Sequence, residues 1–268
     1  MTPFSIRWVY NRLPPLSDED IARVKQLYFE NAGKRWGYVL KGWPTRVDGM
    51  PLQLPGNRPF TEIEIQVNFE YFSQDKNAVA RVPGATMQRL KPSTNQPWNF
   101  PFLAALNIDL NDLTSLLMDR ARFFDTIVHE VGHVLGIGTR WNDAVPTPPL
   151  VRNIAGRYRY VGPHACQAYA GLMGWSYTGS PPGIPLDPEQ TGTTSAYHWG
   201  EVELPFEMMS STLDTPTVAT LAGGGGSNII SKVSVGALQD LGYVVDMLAA
   251  EPLPVGFTPP APPPLPWP

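Results

Sequence analysis

The sequence predicts an α+β fold: a small, twisted N-terminal sheet with helices, then a loop-rich C-terminal half that ends in a helix. Three observations carry that expectation. TEIEIQVNFEYF (61–72) alternates strictly between apolar and polar residues, the period of a half-buried strand. Phe124, Ile127, Val128, Val131 and Leu135 recur at the spacing of one helix face. The 30 Pro and 24 Gly among the 268 residues crowd into the second half, where they punctuate the chain too often for regular structure.

The elements follow in order. FSIRWVY (4–10) alternates and reads as the first strand. Ser17 and Asp20 resemble a capping box, and Ile21, Val24, Tyr28 and Ala32 continue it as an amphipathic helix over 18–36. The strand at 61–72 is joined by NAVARV (77–82) and FLAALNIDL (102–110). RARFFDTIVHEVGHVLGIG (120–138) is a helix closed by Gly136 and Gly138. From 141 to 230 we expect long irregular connections. Within them GGGG (223–226) is a loop, with no strand leading into it and no Lys following as a phosphate cradle needs. Ser231 to Leu241, with Val235, Leu238 and Leu241 in register and Gly242 after them, reads as a capped helix. Nine Pro in 252–268 make an extended, polyproline-like tail, a linker or weak interaction segment. The expected units are 1–138, 139–250 and the tail 251–268.

Composition excludes several function classes. Charged residues are 16% of the chain, against about 25% on average, and hydrophobic residues 43%. That is a globular rather than a disordered composition. A net charge of −4 without a basic cluster argues against nucleic acid as a partner. No apolar run approaches the ~20 residues of a membrane span. Cys166 is the lone cysteine, so no internal disulfide forms, and its simplest role is a small buried residue. The start, MTPFSIRWVY, lacks the basic and apolar regions of a signal peptide.

The chemistry-bearing segment is His129-Glu130-Val131-Gly132-His133. Residues four apart on a helix lie about 40° apart around its axis, so both imidazoles face one point and suit a shared zinc ion. Glu130 then lies beside the metal, placed to take a proton from water. Asp125, one turn earlier on that face, is a candidate to orient a ligand or cap a neighbour. A catalytic zinc takes three protein ligands and leaves one position open. An H-E-x-x-H-x-x-G-x-x-H pattern would put the third His at 139, but Thr139 stands there. The candidates are His198, preferred, then His164, Glu201, Glu203 and Glu207. Tyr197 is a candidate oxyanion donor, although a packed Tyr is the simpler reading. Met208 and Met209 read as core.

These segments resemble the leishmanolysin-like zinc metalloproteases, a branch of the metzincins, in a bacterial, disulfide-poor form. HEVGHVLGIGTRW (129–141) is similar to the family's active-site helix and glycine turn, TSAYHWGEVELPFEMMS (194–210) to the segment with the third His and the methionine turn, and ALQDLGYVVD (237–246) to the closing helix and strand. The resemblance implies one catalytic Zn²⁺ on His129, His133 and His198, Glu130 as general base, Gly136 at the turn beneath the metal, and Met209 rather than Met208 under the site. It implies a protease acting on protein or peptide substrates and working outside the cytosol. The cysteine framework of the protozoan members is absent, and no blocking-cysteine pro-segment is seen. Two other functions remain open: a non-catalytic binding protein on this scaffold, and a zinc hydrolase of a non-peptide amide.

Overall fold

The structure, a computed structural model, describes residues 2–72, 80–81, 87–91, 93–95, 99–143, 149–154, 156–175, 183–187, 197–213 and 228–253. Its strands are β1 (Ile6–Arg12), β2 (Leu40–Gly42), β3 (Gln53–Leu54), β4 (Arg58–Pro59), β5 (Ile63–Glu70), β6 (Ala80–Arg81), β7 (Gln88–Arg89), β8 (Pro101–Asp109), β9 (Val151–Ile154), β10 (Arg157–Tyr160), β11 (Ile184–Pro185) and β12 (Val244–Val245). Its α-helices are α1 (Asp18–Val24), α2 (Asn31–Val39), α3 (Leu113–Met118), α4 (Arg120–Leu135), α5 (Pro163–Leu172) and α6 (Lys232–Asp240). The arrangement is α+β.

The main sheet runs β1-β5-β8-β6, with β7 also on β8. β1, β5 and β8 are parallel, and β6 and β7 pair antiparallel with β8. Alternation in β5 aims Ile63, Ile65, Val67 and Phe69 into the core, each buried. The predicted helix at 18–36 is one helical stretch over 18–39, with wider π turns at Lys25–Glu30 between α1 and α2. Ser17 caps it by accepting from the Asp20 N–H. Of the predicted strand at 77–82, only Ala80–Arg81 lies within the described residues. The GGGG loop (223–226) and the tail beyond Leu253 lie outside them.

The second half is more regular than its composition predicts. β11, β10 and β9 form a three-stranded sheet, and α5 packs on α6. Pro163 opens α5 from the first turn, where no N–H is required. The Asp240 carboxylate of α6 accepts from the first-turn N–H groups of His164 and Ala165, at 2.9 and 3.1 Å. That cap comes from 75 residues away, beyond the reach of local sequence signals. β12 returns to pair with β2. Among the described residues, no helix is long and apolar enough to cross a membrane.

One core runs through both halves. Trp36 of α2, fully buried, donates to the Val128 carbonyl of α4 at 2.8 Å. Phe123, rather than the partly buried Phe124, completes the inner stripe of α4 with Ile127, Val128, Val131 and Leu135. Trp141 and Trp199, with ring centroids 4.6 Å apart, and Tyr160 join the second half to the same cluster.

Candidate metal centre

α4 carries two of the site residues. Asp119 caps its start by accepting from the Arg122 N–H. Its end is fixed by Gly136, at φ 113°, a left-handed backbone that a side chain would oppose. A Cβ there would also crowd the Arg140 side chain, 2.6 Å from Cδ. Thr139 occupies the place of a third His and has a structural role instead. Its hydroxyl donates to the His133 carbonyl at 2.7 Å and closes the helix.

His129, His133 and His198 converge. Their Nε2 atoms lie 3.2 Å (129 to 198) and 3.1 Å (133 to 198) apart. Among the described residues this is the one group of three or more side chains able to hold a metal ion. Nδ1 of His129 donates to the Met208 carbonyl at 2.7 Å, and Nδ1 of His133 to the Ile137 carbonyl at 2.9 Å. A neutral imidazole that donates through Nδ1 presents a bare lone pair at Nε2. His198 has at most one N–H to offer two such lone pairs, whereas a cation among the three nitrogens satisfies all of them.

Electrostatics agree with neutral imidazoles. Burial, and then the neighbouring His133, holds His129 down to about 3. Burial lowers His133 as well. His198 lies well below its ordinary value through burial and then the facing His133 and His129. A protein that keeps three rings uncharged at neutral pH keeps them available as metal ligands.

Glu130 follows His129 on α4 and is buried to 8% exposure, as His129 and His133 are. Beneath them, Gly132 is pressed between Met209 and Trp36. A Cβ on Gly132 would overlap the Met209 sulfur and lie 2.9 Å from its Cε and 3.0 Å from Trp36 Cζ2. Met208 and Met209 are both fully buried. The Met209 side chain lies against Gly132 of α4, and Met208 contributes its carbonyl to His129.

His198 is delivered by a segment far along the chain. Gly138, at φ 75°, lets that segment approach so closely that a Cβ would overlap the Tyr197 carbonyl oxygen. The Trp199 N–H donates to the Met209 carbonyl at 3.0 Å, and the Asp187 N–H to the His198 carbonyl at 3.2 Å. The Trp199 indole N–H donates to Ser234 Oγ at 2.9 Å.

The other sequence candidates stand elsewhere. Asp125 is fully buried, but its carboxylate meets Arg35 Nη1 at 3.1 Å and accepts from the Asn228 side chain at 2.9 Å. It anchors the 228 segment, and the group that orients the His129 ring is the Met208 carbonyl. His164 sits at the surface with Nδ1 2.7 Å from Asp240. Burial pushes the Cys166 thiol up to about 12, which makes it an inert core residue. Glu201 accepts from the Thr212 N–H, and Glu207 from Met209 and Ser231. Glu203 is outside the three-His group. The carbonyls of Met208 and Ile137, which orient the two imidazoles, carry no side-chain signature and were beyond sequence reasoning.

No protein-family model matches this chain, and no curated protein matches it.

Proposed function

We propose that this chain is a zinc-dependent endopeptidase of the metzincin type, with His129, His133 and His198 as ligands and Glu130 as general base. One observation carries the reading: two buried imidazoles and a third, partly buried one, all held neutral, turn their Nε2 atoms to one point, and the helix that supplies two of them places a buried glutamate next to the first. The donor set fits zinc. Nitrogens at about 2.0–2.1 Å in a tetrahedron stand about 3.3–3.4 Å apart, close to the spacing among these rings. Three nitrogen ligands, with no fourth protein ligand in the group among the described residues, are the pattern of a catalytic rather than a structural site.

When bound, zinc supplies Lewis acidity, polarising a carbonyl and bringing the pKa of a water toward about 7. Glu130 accepts the proton of the attacking water and hands it to the leaving amine nitrogen. Its burial strengthens that exchange, because few solvent dipoles compete. Met208 and Ile137 hold two rings in the tautomer that frees Nε2. An extended peptide would lie along the sheet edge at Ala80–Arg81, which packs against α4, with its backbone as the sequence-independent handle.

The test is cleavage of casein by the zinc-loaded protein and by zinc-loaded Glu130→Ala in parallel. Loss of one general base predicts a drop of about 10²–10⁴-fold with zinc retained. Two zinc-loaded proteins that both leave casein and a panel of unfolded proteins intact would sink the endopeptidase reading.

A further inference from the structure

Glu207 is a fully buried carboxylate that the mechanism above does not use. Its surroundings form a chain of donors. Met209 N–H donates to Oε2 at 2.6 Å. The Ser231 N–H and hydroxyl donate to Oε1 at 3.1 and 2.9 Å. Ser234 is a fourth partner. Ser231 Oγ itself accepts from the Val233 N–H, and Ser234 Oγ from the Trp199 indole, so each hydroxyl has its own hydrogen left for the carboxylate.

The Met209 N–H and the Met208 C=O belong to one peptide unit. The carboxylate accepts from its nitrogen end, and His129 Nδ1 donates to its oxygen end at 2.7 Å. A hydrogen bond accepted at the N–H end draws the amide electrons toward oxygen and makes that oxygen a better acceptor. A better acceptor orients the imidazole and raises the donor strength of its other nitrogen. A second branch runs from the carboxylate through Ser234 to the indole of Trp199, the residue after His198.

We propose that Glu207 is a positioning residue of the metal centre, its carboxylate holding and polarising the Met208–Met209 peptide so that His129 faces the ion. The inference rests on the zinc reading and names how that site is tuned. The rival is that Glu207 merely anchors the start of α6. A plain anchor would change stability and leave the affinity of the folded protein for metal unchanged.

The variant is Glu207→Gln, which keeps the shape but sets an NH₂ group against backbone donors. Zinc affinity is read by competition with a chelator, and site symmetry by the visible bands of the cobalt-substituted protein. Leu116→Ala, in a buried position of α3, serves as a destabilised control. We expect Glu207→Gln to lose about 10–100-fold in zinc affinity with shifted cobalt bands, and Leu116→Ala to keep both. A folded Glu207→Gln with wild-type affinity and bands overturns the proposal. A variant that does not fold moves the decision to the wild type, where scalar couplings across the hydrogen bonds are measured by NMR. Couplings from Met209 N to the Glu207 carboxyl carbon and from His129 Nδ1 to the Met208 carbonyl carbon support the relay, and absence of either overturns it. A wild type that binds no zinc overturns both this inference and the proposed function. A wild type that binds zinc beside a variant that binds equally overturns this inference alone.

Discussion

A histidine whose Nδ1–H is claimed by another group presents a bare lone pair at Nε2. His129 and His133 meet that condition through backbone carbonyls. The consequence for pH follows from their lowered affinity for protons. Below about 6.5 the unfolded chain binds protons on these rings that the folded chain resists, so folding stability falls as pH drops from there toward about 3. Glu207 acts in the opposite sense. Burial raises it to about 7, so its contribution is largest below about 4.5 and declines as pH rises toward 7. Three rings outweigh one carboxyl, and the metal-free protein should melt at lower temperature at pH 5 than at pH 7.5. A melting temperature that rises on acidification would refute this balance. His198→Ala should weaken zinc binding by more than about tenfold, whereas His164→Ala should leave it unchanged, read by chelator competition.

At the scale of elements, glycines decide how close the pieces come. Gly132→Ala forces Met209 or Trp36 aside and should cost about 1–3 kcal/mol, read from denaturant unfolding. Gly138→Ala meets a backbone carbonyl and a positive φ together, so nothing can give way cheaply. We expect it to lower zinc affinity as well as stability, because it pushes back the segment bearing His198. Equal zinc affinity in folded Gly138→Ala and wild type would contradict that placement. The helix bearing the His pair was legible because its apolar period and terminal glycine are local signals. So were the strands at 4–10, 61–72 and 102–110. α5 was not, since Pro163 and a weakly amphipathic HACQAYAGL mask a helix whose N-terminal cap lies on α6. Asp125 was legible as important but not in what it holds, because its partners Arg35 and Asn228 are 90 and 103 residues away.

At the scale of the molecule, a few side chains tie distant stretches to α4. Arg35 is the plainest. It bonds Asp125, Glu251 and the Asn228 carbonyl. Burial works against its charge, yet Glu251 and Asp125 together raise its pKa above the ordinary value. Arg35→Ala would leave the buried Asp125 carboxylate without its cation, at a cost of about 3–5 kcal/mol in chemical unfolding. A loss within about 0.5 kcal/mol would mean that the network is not what joins these segments. Whether three imidazoles hold one zinc ion is read straight from X-ray absorption at the zinc edge. With one equivalent of zinc on the intact chain, we expect imidazole scattering from three nitrogens at about 2.0–2.1 Å and one further light atom. A sulfur shell at about 2.3 Å, or failure to retain the metal, would contradict it.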